Sequence, residues 1–294
     1  MKLYAVIVSF NPKYDSLYHL LRVLDEAGVD VFLIDNNSSN KENFANFNLQ
    51  RVEIILLKNN VGIAAAQNIG INLCINNEND LIIFFDQDSR IDRSYIDTLL
   101  MEYMSLKEKN IDVGVLGPRF VDERYGFYYK TVNLNKYGFR KKIDVSNIKE
   151  PIHSSLLISS GSLVSIETLK EVGLMRENYF IDYVDTEWCI RAESLGYKNY
   201  ISSNAKMIHA IGDNVLQFKY FNVPVHSSFR RYYRVRNAYY MLREPHVPKF
   251  LAFREIIFNF IHQLILVIFE KDKKGYIKSY LRGCIDGIFK YEKN

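Results

Sequence analysis

The chain has 294 residues, of which 48% are hydrophobic, so it can bury a large core and is not a disordered protein. Its three cysteines, Cys74, Cys189 and Cys284, form no CxxC pair, which argues against a disulfide framework or a thiolate zinc site. A net charge of +4 gives no reason to expect a nucleic-acid partner. The totals indicate one large domain, or a domain with an appendage, in a reducing compartment.

The first half of the chain alternates short apolar strands with segments of helix length. The helices have apolar residues at spacings of three and four, and the strands are rich in β-branched residues. This alternation predicts an α/β protein with an open, mainly parallel sheet and helices on both faces. The predicted elements are the strands Tyr4 to Phe10, Val31 to Ile34, Val52 to Leu57, Leu81 to Phe85 and Val113 to Leu116, and the helices Ser16 to Ala27, Ala64 to Asn76 and Ser94 to Lys109.

The second half is less regular. Residues 117 to 151 read as loops or a small hairpin over the sheet. Regular structure resumes at Ser154 to Ser165, with helices near Ile166 to Val172 and Thr186 to Leu195, and a strand at Lys206 to His209. Beyond Pro224 the sequence is helical, aromatic and basic. We therefore expect a domain at residues 1–225 and a C-terminal helical region at residues 226–294.

The C-terminal region favours contact with a membrane surface. The segment from Arg230 to Arg243 has five arginines and no acid among aromatic residues, as surfaces that lie on lipid headgroups do. A helical dimer interface is the alternative. No spanning helix is expected, because the apolar stretch from Ile256 to Phe269 is shorter than the ~20 residues needed. The N-terminus shows no secretory signal, so we expect a cytoplasmic protein at the inner face of the plasma membrane.

Polar clusters follow the first four predicted strands, one after each. Ligands of parallel sheets collect outside the carboxyl ends of the strands, so these clusters should form one site. Small residues around Gly62, at a helix start, would let backbone amides approach a phosphate, although tight packing explains them too. The candidate ligand-binding residues at these positions are Ser9, Asn11, Asp35, Asn37, Asn60, Gly62, Gln67, Asp86, Gln87 and Asp88.

Asp86 and Asp88 are the strongest candidates for a metal site. They follow the apolar strand LIIFF two residues apart, and paired carboxylates of this kind hold Mg²⁺ or Mn²⁺ against a nucleotide diphosphate. A solvated turn is the alternative. Asp35 could accept hydrogen bonds from a nucleobase or ribose, but an Asx turn is equally compatible with its position.

A second acidic cluster, with Asp182, Asp185 and Glu187 beside Trp188, opens a predicted helix in FIDYVDTEWCIRA. Asp185 is the expected N-cap of that helix and could take a proton from an acceptor hydroxyl group. Capping would explain one acid but not three. His209, in MIHAIGD, reads by itself as a structural histidine.

Together, the motifs VSFNP, DNNS, NNVGIAAAQNIG, FFDQDS, SSGSL, FIDYVDTEWCIRA and MIHAIGD resemble those of inverting family 2 glycosyltransferases with a GT-A fold. Within that family they look most like the bacterial rhamnosyltransferases of O-antigen and other surface polysaccharides. The resemblance covers about the first 240 residues. One departure is that Val184 stands before Asp185, where many relatives have a glutamate.

The resemblance implies a role for each matching residue. Asp185 would be the catalytic base, and Asp86, Asp88 and His209 would hold the metal. Gly161 and Ser162 of SSGSL would lie under the donor sugar. The residues expected to contact the acceptor or a lipid diphosphate are Asp182, Glu187, Trp188, Arg230, Arg231 and Arg236.

The implied reaction is transfer of L-rhamnose from dTDP-L-rhamnose to a saccharide that is linked to polyprenyl diphosphate. Two alternatives remain open from the sequence. The same fold could use a UDP-sugar donor, or the chain could be a non-catalytic scaffold that binds a sugar nucleotide. Metal-dependent transfer separates the scaffold from the enzymes.

Overall fold

The computed structural model describes residues 1–75, 80–123, 125–209, 214–217 and 222–291. The strands are β1 (Leu3–Ser9), β2 (Asp30–Asp35), β3 (Val52–Leu56), β4 (Leu81–Asp86), β5 (Val113–Asp122), β6 (Thr131–Leu134), β7 (Arg140–Ile143), β8 (Ile152–His153), β9 (Leu163–Ser165), β10 (Lys198–His209), β11 (Asn214–Gln217) and β12 (Asn222–Val225). The helices are α1 (Tyr14–Glu26), α2 (Ile63–Cys74), α3 (Ser94–Glu108), α4 (Ile166–Val172), α5 (Val184–Ser194), α6 (Ser228–Arg243), α7 (Lys249–Phe269) and α8 (Lys273–Phe289).

The central sheet has eight strands in the order β3-β2-β1-β4-β9-β5-β10-β8. Strands β3, β2, β1 and β4 are parallel, β9 is antiparallel to its neighbours, and β10 is parallel to β5. Ser9 pairs with Asp35, and Val8 with Asp86, so the carboxyl ends of β1, β2 and β4 lie level at one edge. The predicted mainly parallel α/β sheet is confirmed.

Two apolar layers cover the faces of the sheet. One contains residues of α1 and α3, such as Leu20 and Leu99, and the other contains residues of α2, α4 and α5, such as Ile71 and Trp188. Burial of a leucine or isoleucine contributes roughly 1.5–3 kcal/mol. Met241 of α6 belongs to the second layer, so the C-terminal region shares a core with the sheet. The division at residue 225 stays a prediction.

Strands β5 and β10 are longer than the sequence predicted. The prediction ended β5 at Leu116 because Gly117 and Pro118 follow, yet the strand continues to Asp122. Proline is tolerated there because the pairing with β9 ends at Leu116 and the register with β10 shifts just after Gly117. The small hairpin expected within residues 117–151 is present as β6 and β7.

Helices α6, α7 and α8 pack together at the C-terminal end of the described chain. Within the described residues, α7 is the one helix long and apolar enough to cross a membrane, with a mean hydropathy of 1.7 over 18 residues, a third of which are buried. The apolar stretch found in the sequence, Ile256 to Phe269, is shorter than α7 because the helix begins at Lys249. Length and composition alone are weak evidence for a membrane span.

Candidate active site

The carboxylates of Asp88 and Asp185 are both close enough to Asp86 to repel its charge. Asp86 is the last residue of β4, Asp88 is exposed in the following turn, and Asp185 lies in the first turn of α5. Burial, and then the charges of Asp88 and Asp185, raise the pKa of Asp86 to about 7. Several carboxylate oxygens close together at the edge of a sheet form a ligand set that suits Mg²⁺ or Mn²⁺.

The SSGSL loop joins these carboxylates through its first two serines. The Ser160 hydroxyl accepts a hydrogen bond from the Asp86 backbone amide at 3.1 Å and lies 2.8 Å from the Ser89 hydroxyl. A backbone hydrogen bond from Ser159 reaches Asp185, whose pKa is raised chiefly by burial. The loop therefore fixes the strand-end acids relative to Asp185.

Gly161 and Ser162 shape the loop that carries Ser159 and Ser160. Gly161 has φ +74°, and a Cβ atom there would lie 2.5 Å from the Tyr95 hydroxyl. Ser162 is fully buried, and its hydroxyl donates to the Ile158 carbonyl at 2.7 Å. Ser162 also lines a cavity together with Ser159 and Asp185, so the expected contact of Gly161 and Ser162 with the donor stays a prediction.

A strained turn leads into α5. Phe180, Asp182 and Tyr183 all have positive φ, at 65°, 64° and 63°, which costs of order 1–3 kcal/mol for each residue. The buried Asn237 of α6 donates to the carbonyls of Tyr179, Ile181 and Asp182 at 2.8, 2.8 and 2.9 Å. Tyr183 is therefore the N-cap residue, and the expected capping by Asp185 is wrong.

Asp182 pairs with two arginines of α6. Arg230 donates to both Asp182 carboxylate oxygens at 3.1 Å, and Arg234 donates at 3.3 Å. Burial opposes ionisation, but the two guanidinium groups hold the pKa of Asp182 below its usual range. Arg230 also lowers the pKa of Asp86. A partly exposed guanidinium therefore lies between the buried Asp182 and the strand-end carboxylates.

Asp35 does not reach the surface. Its side chain is fully buried, and it accepts hydrogen bonds from the Ser9 hydroxyl at 3.1 Å, from the Ser38 amide at 2.9 Å and from the Ser38 hydroxyl. Both carboxylate oxygens are engaged, so the direct nucleobase contact expected of Asp35, and a ligand contact for Ser9, are corrected. Both residues hold the loop after β2 against β1.

The other strand-end side chains tie neighbouring loops together. Asn11, after β1, and Asn37, after β2, adopt positive φ of 49° and 71°; positive φ was expected for Asn37 and for Asn36, and Asn36 does not adopt it. Gln87 accepts a hydrogen bond from the Phe10 amide at 2.7 Å, and Asn60 accepts one from the Gly62 amide at 3.0 Å. These loops form a partly exposed polar rim at the carboxyl ends of the strands.

Gly62 contacts the strained turn directly. It has φ +85°, and a Cβ atom there would lie 2.6 Å from the Phe180 ring. The Ile63 amide donates to the Phe180 carbonyl at 2.7 Å, and Gln67 donates to the Ser159 hydroxyl at 3.3 Å. The start of α2 therefore links the loops at the strand ends, the SSGSL loop and the strained turn before Asp185.

Comparisons with known proteins identify the family of this chain. The model of glycosyl transferase family 2 matches residues 4–169. The chain belongs to this family. It is 43% identical over 288 residues to the dTDP-rhamnosyl transferase RfbF of Shigella flexneri, a match that covers 97% of this chain and 95% of RfbF. The protein is thus a glycosyltransferase.

Solved structures support the same fold at low identity. GalNAc-T7, crystallised with UDP, GalNAc and Mn²⁺, is 14% identical with a TM-score of 0.57, and the match covers 92% of this chain but only 58% of that one. TarS residues 1–349 of S. aureus are 15% identical with a TM-score of 0.52, covering 98% of this chain and 81% of that one. These likenesses show the GT-A-type fold alone.

Four side chains of this family 2 transferase that were expected at the acceptor make hydrogen bonds within the protein. Arg231 is 2% exposed and donates to Asn259 and Gln263. Trp188 donates to the Gly173 carbonyl at 2.8 Å. The other two are Arg236, which donates to the Tyr179 carbonyl at 3.1 Å, and the fully buried Glu187. The expected acceptor contacts of Arg231 and Glu187 are corrected, since both side chains are buried. Those of Trp188, which lines the same cavity as Asp185, and of the half-buried Arg236 stay predictions.

Glu187 belongs to a buried ionic cluster beside the strained turn. Its ligand atoms lie within 4.8 Å of those of Glu244 and His246, a spacing that could hold a metal ion. However, Arg191 donates to both Glu187 oxygens at 2.9 and 3.1 Å, and Arg176 reaches both glutamates at 3.2 and 3.1 Å. Two guanidinium groups balance the two carboxylates, so the cluster is an ionic network that joins α5 to the end of α6.

The sequence missed several residues of the site. Ser159 and Ser160 were quoted in SSGSL but passed over for their neighbours, and Arg234 was expected to face a membrane or a lipid diphosphate, not to pair with Asp182. Asn237 gave no sequence signal, because an asparagine in an arginine-rich helix does not reveal a partner more than 50 residues away. The His209 side chain lies outside the described residues; its backbone ends β10 beside Asp122.

Proposed function

We propose that this transferase moves L-rhamnose from dTDP-β-L-rhamnose to a hydroxyl group of a saccharide acceptor during synthesis of a bacterial surface polysaccharide such as O-antigen. The observation that carries the choice of donor is the 43% identity to the dTDP-rhamnosyl transferase RfbF over 97% of the chain. The cluster of Asp86, Asp88 and Asp185 at the sheet edge supports the chemistry independently.

A divalent cation, Mg²⁺ or Mn²⁺, is part of the proposal. Asp86 and Asp88 offer hard oxygen ligands. Burial, and then the charges of Asp88 and Asp185, raise the pKa of Asp86 to about 7, and a cation there would relieve the repulsion between these carboxylates and Asp86. His209 is proposed as a further ligand. The bound cation would neutralise the diphosphate as its bond to the sugar breaks.

Asp185 is the proposed general base. Burial raises its pKa, which makes the carboxylate a stronger base than an ordinary aspartate. It would accept the proton of the acceptor hydroxyl while that oxygen bonds to the anomeric carbon. The bond from that carbon to dTDP breaks, and its electron pair leaves with the diphosphate. Displacement from the opposite face inverts the centre, so the β-L-donor gives an α-L-rhamnoside.

Arg230 is the proposed contact to a diphosphate group. Its side chain is 37% exposed, it is oriented by the buried Asp182, and its charge reaches Asp86. A guanidinium group is suited to phosphate oxygens because it donates from two nitrogens in a fixed geometry. Asp182 would then act by positioning Arg230 and Arg234, without touching the acceptor itself.

The acceptor is proposed to be a saccharide linked to polyprenyl diphosphate, with the enzyme bound peripherally to the cytoplasmic face of the plasma membrane. The apolar helix α7 and the basic C-terminal sequence support this location. A glycan that is built on a lipid must be extended at the membrane, so an enzyme held there meets its acceptor at a high local concentration.

Thermal shifts with dTDP, UDP and GDP, each with and without Mn²⁺, test the donor. We expect selective, metal-dependent stabilisation by dTDP, and release of dTDP from dTDP-rhamnose when a lipid-linked acceptor is present. A preference for UDP would exclude the rhamnosyl donor. Metal-dependent nucleotide binding without any transfer or donor hydrolysis would instead indicate a non-catalytic scaffold.

A further inference from the structure

The outer face of α7 and α8 is apolar, which is opposite to the usual arrangement of a surface helix. From Phe250 to the end of α7, every exposed residue is phenylalanine, isoleucine or leucine. Exposed fractions on the two helices run from 42% to 79%. The residues of this outer face are Phe250, Phe253, Ile257, Phe258, Phe260, Ile261, Leu264, Ile268 and Phe269 of α7, and Ile277, Leu281, Ile285, Ile288 and Phe289 of α8.

The inner face of α7 carries three polar residues beside its apolar ones, and each of the three makes a hydrogen bond to another part of the protein. Glu255, Asn259 and Gln263 are each 4–5% exposed. Arg231 of α6 donates to Asn259 at 2.7 Å and to Gln263 at 3.1 Å, and Tyr183 donates to Glu255 at 2.9 Å. Rotating α7 to hide its apolar face would break these bonds and leave buried polar groups unpaired. The outward apolar face is therefore a fixed feature of the fold.

A transmembrane orientation of α7 conflicts with these contacts. A spanning helix would have to carry Glu255, Asn259 and Gln263 into hydrocarbon. Residues 270–274, which form the turn after α7 and the first two residues of α8, are five consecutive charged residues. A helix that lies in the plane of the interface needs neither change, because only its outer face enters the lipid.

The charge of the region favours lipid over a second copy of the chain. Residues 226–294 contain 14 lysines and arginines against six acids, a net charge of +8, so the first 225 residues carry −4 of the total +4. Exposed lysines border the outer face at Lys271, Lys273, Lys274 and Lys278. Two copies joined through this face would bring like charges together, whereas anionic headgroups would neutralise them.

We infer that the α7–α8 hairpin lies in the plane of an anionic lipid surface, with its outer apolar face inserted and its lysines among the headgroups. This inference deepens the proposed membrane location but depends on helix polarity, not on the donor. Helix α6 contacts the hairpin through Arg231 and the active site through Arg230. The active site is thus about one helix diameter, ~10 Å, from the inserted hairpin.

Vesicle flotation of the full chain tests the inference. Vesicles of phosphatidylethanolamine with phosphatidylglycerol should carry the wild-type protein, and the double variant Ile257→Glu with Leu264→Glu should bind at least about 100-fold more weakly. The matched control is Met101→Glu with Leu195→Glu, two equally exposed apolar positions on the sheet domain, which should float like wild type. Replacing phosphatidylglycerol by neutral lipid should weaken binding about fivefold for each contributing lysine.

Two further measurements separate the possible failures. Thermal shift with dTDP and Mn²⁺ should be the same for the wild type and the hairpin variant, which establishes that the variant is folded. Sedimentation analysis reports the oligomeric state. A wild type that does not float, or a dimer that the hairpin variant converts to a monomer, would overturn the lipid assignment. A wild type that floats but binds no dTDP would leave this inference standing and remove the proposed donor.

Discussion

The sheet domain and the C-terminal hairpin distribute polarity in opposite ways. In the sheet domain, β4 is apolar along its length and ends in Asp86, so charge collects at one edge. In α7, the polar residues Glu255 and Asn259 are buried, whereas nine large apolar residues are exposed to solvent. Helix α6 contacts both regions, because its side chains form hydrogen bonds with α7 and with the strained turn before α5. The buried polar groups of this protein hold its helices and turns in place. The exposed apolar groups of α7 form a surface suited to lipid.

The largest effect should come from Asp185→Asn in the sheet domain. The amide cannot accept the proton of the acceptor hydroxyl, so we expect kcat for rhamnosyl transfer to fall about 10²–10⁴-fold. Binding of dTDP with Mn²⁺ should be retained, because Asp86 and Asp88 are unchanged. Steady-state kinetics and the thermal shift check the two parts. Near-normal turnover in the variant would show that another group is the base.

Asp88→Asn should have the next largest effect and should act through the metal. Removing one carboxylate from the pair weakens the cation site, so metal-dependent stabilisation by dTDP should disappear and kcat/KM should fall about 100-fold. Asp97→Asn, an exposed aspartate on α3, is the control and should behave like wild type. If added Mn²⁺ stabilised the Asp88 variant with dTDP as it does wild type, Asp88 would not be a ligand.

Asn237→Ala tests the link between the two regions. One side-chain amide holds three carbonyls of the strained turn, so its loss should lower the free energy of unfolding by about 2–3 kcal/mol. Because that turn sets the position of Asp185, kcat should fall while KM for the donor changes little. Urea denaturation and steady-state kinetics measure the two effects. Asn48→Ala, at an exposed loop position, should change stability by less than about 0.5 kcal/mol.

The fold and the grouping of the carboxylates could be predicted from the sequence because both depend on local periodicity. Alternating strands and helices indicated the parallel sheet, and a parallel sheet brings its carboxyl ends to one edge. Asp86 follows an apolar strand, so its position at that edge required no knowledge of distant contacts. The start of α5 was missed by two residues because the turn before it is held by Asn237, from a helix that begins about 45 residues later.

Side-chain roles in the C-terminal half could not be predicted in the same way. The sequence shows that Arg230, Arg231 and Arg236 share a basic helix, but not that Arg231 points inward to Asn259 while Arg230 points to Asp182. The same limit applies to Asp35 in the N-terminal half. Its sequence position was compatible with a ligand contact or with a turn, and its hydrogen bonds to Ser9 and Ser38 show that it holds the turn. The sequence does not show which residues of α7 face the protein and which face solvent, so its exposed apolar face was found only in the structure.

The smallest expected effect comes from the outer face of α7, and a matched residue makes the comparison sharp. Leu264 is 50% exposed, and Leu266, two positions along the same helix, is 1% exposed and packs with Val225 and Tyr276. In lipid-free buffer, Leu264→Ala should change the free energy of unfolding by less than about 0.5 kcal/mol, whereas Leu266→Ala should cost about 2–5 kcal/mol. Urea denaturation of both variants measures the difference. Equal costs would mean that the outer face is packed against protein in solution, and the contrast between the two regions would then disappear.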